Sequence, residues 1–345
     1  MKRVLVLILA TLMMVSAVAC TAPTPASPAT PADPAAPGAP AASGEKFEIS
    51  IALHTKDGTS EEACAMFKKE VESKTNGNIS VLIFENGTLG TEAENISQVS
   101  SGEINCALLG SLYPQQILSE YNASGIPFAF PDVEAVEDYW NGPVGEEMRQ
   151  VSISKSNIKL AGLIRRGPRL LTANKKIAHP SDLAGLKLRL PENAQWIAVW
   201  KSLGTNPTPV NWNEVYTSLQ TGVVDAQENP IATYYTAKIQ EVQKFTMVTN
   251  HINQHFAWVF NNKFFESLPA DYQQIVLDAI TNSVEFAKAD VAAREADYKQ
   301  KLINEGHTFV DVDIEEWQAA AKNGILEAME GLNDAAKTAI KQYMK

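Results

Sequence analysis

The residue with the most distinctive chemistry is Arg189, a single long cation in a short apolar segment. Leucines occupy every second position around it, at Leu186, Leu188 and Leu190, and this alternation predicts a β-strand with the arginine on the face opposite the leucines. The planar guanidinium of arginine can donate two parallel hydrogen bonds to one carboxylate. The segment therefore predicts a contact with an organic acid; a surface charge or an ion pair within the protein is the alternative.

Three further side chains stand where a ligand bound by Arg189 could reach them. Arg169 begins the strand predicted before the one that carries Arg189, Trp212 precedes a predicted helix start, and Asn229 ends a predicted strand just before Pro230. An indole can pack against a carbon skeleton and an amide can donate a hydrogen bond, as in many small-molecule sites. For Trp212 the alternative is packing in the core, and for Arg169 it is an internal ion pair.

No sequence pattern specific for catalysis, a metal or a cofactor accompanies these residues. The chain has no Gly-x-Ser-x-Gly nucleophile motif, no phosphate-binding Walker loop and no dinucleotide-binding Gly-x-Gly-x-x-Gly. His251 and His255 are four residues apart, but the glutamate of a zinc-protease motif is missing between them. We therefore predict no catalytic residue, no metal site, no cofactor and no enzymatic activity.

The charge balance is acidic and argues against nucleic acid as a partner. The chain has 29 Lys and Arg against 40 Asp and Glu, a formal net charge of −11. Proteins that bind nucleic acid need clustered positive charge. An anionic ligand must then be bound by local arginines, against the average field of the protein.

The beginning of the chain predicts export and a membrane anchor. Residues 1–19 have the basic start and short apolar stretch of a signal peptide. Small residues precede Cys20 as in a bacterial lipobox, which predicts lipidation of that cysteine; an ordinary signal peptide cleaved near Ala19 is the alternative. Residues 20–45 are rich in Pro and Ala and predict an extended linker. The predicted location is extracytoplasmic, in the periplasm or at the cell surface, with membrane contact only through the lipid.

The hydrophobic pattern of the body alternates between strand and helix. Strands are predicted over 47–53, 79–83 and 104–109, with helices between them, and this order implies a parallel sheet. A further strand is predicted over 158–164. A second α/β unit begins near residue 167. A helical pattern over 270–305 predicts a helix about 50 Å long, which would run across both units.

The interval from 186 to 230 resembles the solute-binding proteins of tripartite ATP-independent periplasmic (TRAP) transporters. The matching segments are DLAGLKLRLP, SLGTNPTPV, EVYTSLQTGVVDAQENP and EVQKF, and a weaker resemblance extends over 46–345. The resemblance implies that Arg189 pairs with a substrate carboxylate and that Arg169, Trp212 and Asn229 support it. The positions of the first domain that tune specificity in this family align poorly with the present sequence. His54, Tyr113 and Trp196 are therefore named only as candidates for the pocket lining.

The sequence therefore predicts an α/β, two-domain periplasmic-binding-protein-like fold with a cleft between the domains and a long domain-spanning helix. Domain 1 is predicted over 46–166 and about 255–294, and domain 2 over 167–254 and about 295–345. The predicted function is a lipid-anchored extracytoplasmic receptor that delivers a small organic acid to TRAP permease subunits. Receptors for an ATP-driven importer or a sensor, and a secreted enzyme on a similar fold, remain as alternatives. The sequence does not name the acid.

Overall fold

The computed structural model describes residues 44–343, so the predicted signal peptide, Cys20 and nearly all of the predicted linker lie outside the described residues. The strands are β1 Phe47–Leu53, β2 Ile79–Phe84, β3 Cys106–Leu109, β4 Ile158–Pro168, β5 Leu170–Ala173, β6 Lys187–Leu190, β7 Asn206–Pro209, β8 Ala226–Asn229, β9 Phe245–Val248, β10 Asn253–Asn261 and β11 Thr308–Asp311. The helices are α1 Thr59–Lys74, α2 Glu92–Ser101, α3 Leu112–Ile117, α4 Val133–Asn141, α5 Pro143–Ser156, α6 Ala194–Ser202, α7 Val215–Gln220, α8 Ile231–Thr236, α9 Asn262–Ser267, α10 Ala270–Asn304, α11 Ile314–Met329 and α12 Asp334–Lys341.

The strands form two sheets, which confirms the α/β prediction. The first sheet has the order β2-β1-β3-β10-β4, and β1 pairs in parallel with both β2 and β3. This is the β-α-β-α-β unit predicted from the sequence. Strand β10 then enters between β3 and β4 and runs antiparallel to both, so the sheet is mixed.

The second sheet has the order β11-β9-β5-β8-β6-β7. Strand β8 lies between β5 and β6, antiparallel to the former and parallel to the latter. Its register places Asn229 opposite Leu170, and Ala226 opposite Leu188. The strands that carry or adjoin Arg169, Arg189 and Asn229 are therefore neighbours in one sheet, although Arg169 and Asn229 are 60 residues apart in the chain.

Within residues 44–343 the chain crosses between the two sheets three times. The third crossing is the segment from β10 to β11, which contains α10, and the first two crossings are adjacent to each other. The chain leaves the first sheet at the end of β4 and enters β5 through Arg169, and it returns between β9 and β10 through residues 249–252. The Arg169 N–H donates to the Ile252 carbonyl at 2.9 Å, so the first two crossing segments are hydrogen-bonded to each other. Polar side chains from both segments are thereby held at the junction of the sheets.

Helix α10 has 35 residues and matches the long helix predicted from the hydrophobic pattern. It packs against α1 and β4 beside the first sheet and against α8 and β11 beside the second. Among the described residues, no helix combines the length and hydropathy that a membrane crossing requires. Residues 44–343 form one compact unit, and the residue bounds of the two predicted domains stay a prediction.

The two cysteines of the body are free thiols in the core. Cys64 on α1 and Cys106 on β3 are both fully buried and unbridged. Burial raises the pKa of both thiols, and the Trp258 indole donates to the Cys106 sulfur at 3.1 Å. Both cysteines therefore act as small apolar side chains, as their positions among apolar residues indicate.

Candidate functional site

A polar cleft of about 750 Å³, including its open mouth, lies at the first two crossings of the chain between the sheets. Its lining includes charged, amide and aromatic side chains from both sheets: His54, Glu92, Arg166, Arg169, Arg189, Trp212, Asn229 and Gln254.

The fold brings these residues together because most of them stand at the ends of strands. His54 directly follows β1, Asn229 ends β8, and Arg189 is the penultimate residue of β6. Strands β6 and β8 are parallel, so their carboxyl ends lie at the same edge of the second sheet. Open α/β sheets bind ligands outside the carboxyl ends of their strands.

Arg166 belongs to this cleft but was not among the predicted site residues. Its buried guanidinium contacts Asp57 at 2.9 Å, Thr233 at 2.6 Å and Gln254 at 3.1 Å, and it lies 3.8 Å from the centre of the Phe256 ring. The predicted strand ended at residue 164, whereas β4 continues to Pro168. Along the last residues of β4, buried and less buried positions alternate, and Arg166 is at a buried position. Extending the predicted strand and its alternation beyond residue 164 could therefore have identified Arg166.

Arg169 is held by an internal carboxylate. Its guanidinium forms a two-pronged ion pair with buried Glu228, with Nη2 2.8 Å from Oε1, and it also donates to Gln254. His251 contacts the same carboxylate at 2.9 Å. Burial alone would raise the pKa of Glu228, but the charge of Arg169 and the hydrogen bond to His251 outweigh it and hold this pKa below its usual value. The alternative stated for Arg169, an internal ion pair, is therefore realised in this structure.

The same cluster accounts for His251. Burial lowers the pKa of His251, and its Nδ1 lies 2.8 Å from the Thr249 hydroxyl. Glu228 therefore ties together Arg169 and His251, one from each of the first two crossing segments. Sequence analysis did not identify Glu228, because a glutamate within a short polar strand gives no indication of burial.

Arg189 differs from the other two arginines of the cleft. It is 4% exposed, and its Nε and Nη2 both donate to the Val210 carbonyl, at 2.9 and 2.7 Å. Within residues 44–343 no carboxylate lies at ion-pair distance from it, and its Nη1 has no hydrogen-bond partner there. Burial lowers its pKa to about 9, so the guanidinium is still cationic at neutral pH. Arg189 therefore lines the cleft as a cation without an ionic partner among these residues.

Trp212 and Asn229 complete the side of the cleft around Arg189. Trp212 is partly exposed, and the centre of its ring lies 5.7 Å from the Arg189 guanidinium carbon. Asn229 is buried, and its amide donates to the Gln227 side chain at 2.7 Å. One of the two amide hydrogens of Asn229 is therefore engaged within the protein.

His54 and Glu92 face each other on the first-sheet side of the cleft, with His54 Nε2 3.4 Å from Glu92 Oε2. Burial lowers the pKa of His54 to about 3, so the imidazole is neutral at pH 7. Burial raises the pKa of Glu92 to about 7. The backbone N–H groups of Leu112 and Tyr113 donate to Oε1 of Glu92 at 2.9 and 3.3 Å. Sequence analysis did not identify Glu92 as part of the site.

Two predicted lining residues are not on the wall of this cleft, which corrects that expectation. Tyr113 is fully buried and its hydroxyl contacts the Ser152 hydroxyl at 2.7 Å, so the side chain is satisfied within the core. Trp196 is 1% exposed, donates to the Gly125 carbonyl, and lines an adjoining cavity. Its ring lies 4.6 Å from the Arg169 guanidinium, which gives it a supporting position.

The model of the family described as bacterial extracellular solute-binding protein, family 7 (DctP) matches residues 51–331. The chain belongs to this family. A solute-binding protein from Roseobacter denitrificans is 33% identical over 265 residues, which cover 76% of this chain and 81% of the relative. The Escherichia coli 2,3-diketo-L-gulonate-binding periplasmic protein is 30% identical over 243 residues, 70% of this chain and 73% of the relative.

Among solved structures, a TRAP periplasmic solute-binding protein from Roseobacter denitrificans with bound L-galactonate has a TM-score of 0.80 and 28% identity. The match covers 87% of this chain and 99% of the other. The resemblance to TRAP solute-binding proteins is thus confirmed. The DctP family consists of extracytoplasmic solute receptors and is not a family of enzymes.

Proposed function

We propose that this DctP-family protein is the receptor of a TRAP transporter for a small organic acid and that Arg189 makes the main contact with the acid's carboxylate. The observation that carries the proposal is the unequal pairing of the arginines in the cleft. Arg166 and Arg169 each have a buried carboxylate partner, whereas Arg189 has none within residues 44–343. A buried charge without a partner is costly, and an entering carboxylate supplies the partner.

The neighbours of Arg189 suit the other parts of an acid. Trp212 offers an apolar plate beside the guanidinium, and Asn229 can donate its second amide hydrogen. Arg169 has a supporting role in the binding of the carboxylate, because Glu228 already neutralises its charge. Relatives and neighbours named for 2,3-diketo-L-gulonate and L-galactonate bind organic acids of this size, which supports the ligand class proposed here.

The decisive test replaces Arg189 by lysine, which keeps the charge but loses the fork of donors. Removing one partner of a desolvated, hydrogen-bonded charge pair typically costs roughly 2–5 kcal/mol of binding. We therefore expect Arg189→Lys to weaken binding at least ~30-fold, since each 1.4 kcal/mol is about tenfold. The melting temperature of the empty protein should change little. Calorimetry on the acid that mass spectrometry identifies in the purified protein, with L-galactonate as first probe, measures the loss.

A matched control is Arg149→Lys, which alters a partly exposed arginine outside the cleft with a long 3.8 Å contact to Glu146. Its affinity should equal that of the unchanged protein. Normal binding by Arg189→Lys would mean that the carboxylate is held elsewhere. Unfolding of the empty Arg189→Lys protein would mean that this arginine is structural.

The proposal includes delivery of the acid to TRAP permease subunits and a lipid anchor at Cys20. The family supports the first, and the lipobox-like sequence before Cys20 supports the second. Cells fed a fatty-acid analogue should label the protein, and Cys20→Ala should abolish the label. Equal labelling of the two proteins would refute the anchor and leave the receptor proposal standing.

A further inference from the structure

The charges that line the cleft are balanced in a way that restricts the ligand. Asp57 neutralises Arg166, with a 2.9 Å contact, and Glu228 neutralises Arg169. Arg189 on the second sheet then remains as a cation. Two carboxyl groups also line the cleft without a lysine or arginine at ion-pair distance: Glu92 at the start of α2, whose pKa burial raises to about 7 so that it is ionised above that pH, and exposed Glu192. Arg189 and Glu92 lie on opposite sides of the cleft and attract each other electrostatically, although the charge of Glu228 acts on Arg189 more strongly.

The carboxylate of Glu92 is built into the wall rather than placed there loosely. Backbone N–H groups at Leu112 and Tyr113 donate to its Oε1, and Oε2 is directed toward His54. A Cβ at Gly110 would stand only 3.3 Å from that Oε2 and 3.2 Å from the ring of Phe256, so a glycine permits this close approach.

Among residues 44–343 no lysine or arginine lies at ion-pair distance from Glu92, and only the more distant charge of Arg166 favours its ionised form. His54 is its nearest basic group, and burial together with the charge of Arg166 keeps His54 uncharged at neutral pH. A second carboxylate on a ligand would therefore meet Glu92 without a counter-charge, and like charges brought together at low dielectric repel strongly. A hydroxyl group, in contrast, can donate to Oε2.

The remaining polar lining favours hydroxyl groups over an ammonium group. Ammonium sites in proteins surround the cation with carboxylates or aromatic rings. Apart from Glu92 and exposed Glu192, the cleft presents neutral side chains that both donate and accept hydrogen bonds, among them Thr55, Thr91, Ser111, Gln116 and Gln254.

We infer that the cleft selects monocarboxylic acids with a hydroxylated carbon chain, with Arg189 binding the single carboxylate and Glu92 accepting hydrogen bonds from hydroxyls and excluding a second carboxylate. This inference rests on the proposed function, because it takes Arg189 as the carboxylate partner. Glu92 is thus a specificity-determining residue that the sequence pattern did not identify.

The test compares acids that differ in one terminal group. L-Galactonate and galactarate have the same carbon chain and stereocentres but end in CH₂OH and carboxylate respectively, and gluconate with glucarate and threonate with tartrate form two further pairs. Calorimetry at pH 8 should show that the unchanged protein binds at least one of these monocarboxylates. It should bind that monocarboxylate at least ~30-fold more tightly than the dicarboxylate of the same pair. Succinate and 6-aminohexanoate represent a diacid without hydroxyls and an acid with an ammonium end.

The Glu92→Gln variant keeps the shape and removes the charge. It should bind the preferred monocarboxylate about tenfold more weakly and reduce the discrimination against the matching dicarboxylate to a few-fold. Glu103→Gln, an exposed residue just beyond the other end of α2, should leave both affinities unchanged. Thermal melts of both variants check folding. Should Glu92→Gln not fold, the ratios measured on the unchanged protein still decide.

Several results would overturn the inference. They are equal or tighter binding of a dicarboxylate or of 6-aminohexanoate, failure of every hydroxylated monocarboxylate to bind, and unchanged discrimination in Glu92→Gln. If succinate binds in an Arg189-dependent manner, this inference falls while the receptor proposal stands. If no acid binds in an Arg189-dependent manner, the proposed function itself falls.

Discussion

Two sets of buried charges line the same cleft, and they differ in whether the protein itself supplies their partners. In the first set, Arg166 is paired with Asp57, and Arg169 with Glu228 and His251. In the second set, Arg189 donates only to a backbone carbonyl, and the carboxyl group of Glu92 is met by backbone N–H groups and a neutral imidazole. Residue type and burial are similar in the two sets.

The difference separates architecture from recognition. A buried ion pair costs desolvation on both partners, and it is retained where each charge is also hydrogen-bonded, as Glu228 is to the first two crossing segments. A buried charge without an ionic partner is a cost to the empty protein that a bound ligand can offset. The paired set should therefore govern stability, and the unpaired set should govern binding.

The largest expected effect is on stability, from Glu228→Gln. Breaking a buried pair by removing one partner typically costs about 3–5 kcal/mol, because an unpaired charge is left inside. The free energy of unfolding, measured with urea on the empty protein, should fall by that amount. Glu70→Gln on α1, which removes the ion pair with Lys74, should cost no more than about 0.5 kcal/mol. Equal effects would show that burial of the pair does not matter.

The pH dependence of the Glu228→Gln penalty sharpens this expectation. The folded state holds the pKa of Glu228 below its unfolded value near 4.5, so the unfolded chain binds a proton more readily. The stabilisation is therefore fully present above pH 4.5 and is lost as the pH falls through the lowered folded pKa. The difference between the unchanged protein and Glu228→Gln should shrink in acid. A difference that stays constant on acidification would count against an ionic contribution.

Glu92 should show the opposite sign and a smaller effect. Its folded pKa of about 7 lies above the unfolded value of 4.5, so between these pH values the folded protein holds more protons. Its contribution to stability falls as the pH rises through this window, by up to about 3 kcal/mol at ~1.4 kcal/mol per pKa unit. Unfolding of Glu92→Gln and the unchanged protein at pH 5 and pH 8 measures the change, and a variant that loses relative stability at pH 8 would contradict it.

The smallest expected effect on the empty protein comes from Trp212→Ala. The side chain is partly exposed and lies over Arg189, so its removal should change the free energy of unfolding by no more than about 1 kcal/mol. Binding should weaken more for acids with larger apolar bodies, at ~25 cal/mol per Å² of lost contact. A uniform loss across a ligand series would assign Trp212 to support of the fold.

Much of the fold was predictable from the sequence, because its signals are local. The alternation in residues 47–53 gave β1 with its observed bounds, and the helical pattern over 270–305 gave α10 to within one residue at its end. Strand β4 was predicted too short, since its last residues carry two arginines where apolar alternation was expected. That error hid Arg166 from the predicted site.

The amino-acid sequence by itself determined the class of the protein and led to Arg189 as the proposed cation for its ligand, since this arginine lies among alternating leucines and is followed by an aromatic and an amide in the order typical of TRAP solute-binding proteins. Only the tertiary structure decided which charges are free. Arg169 and Glu228 are 59 residues apart and meet because β5 pairs with β8, whereas Arg189, one strand further across the same sheet, meets no carboxylate within residues 44–343. Pairing between residues far apart in the chain depends on strand order, and strand order leaves no local pattern in the sequence.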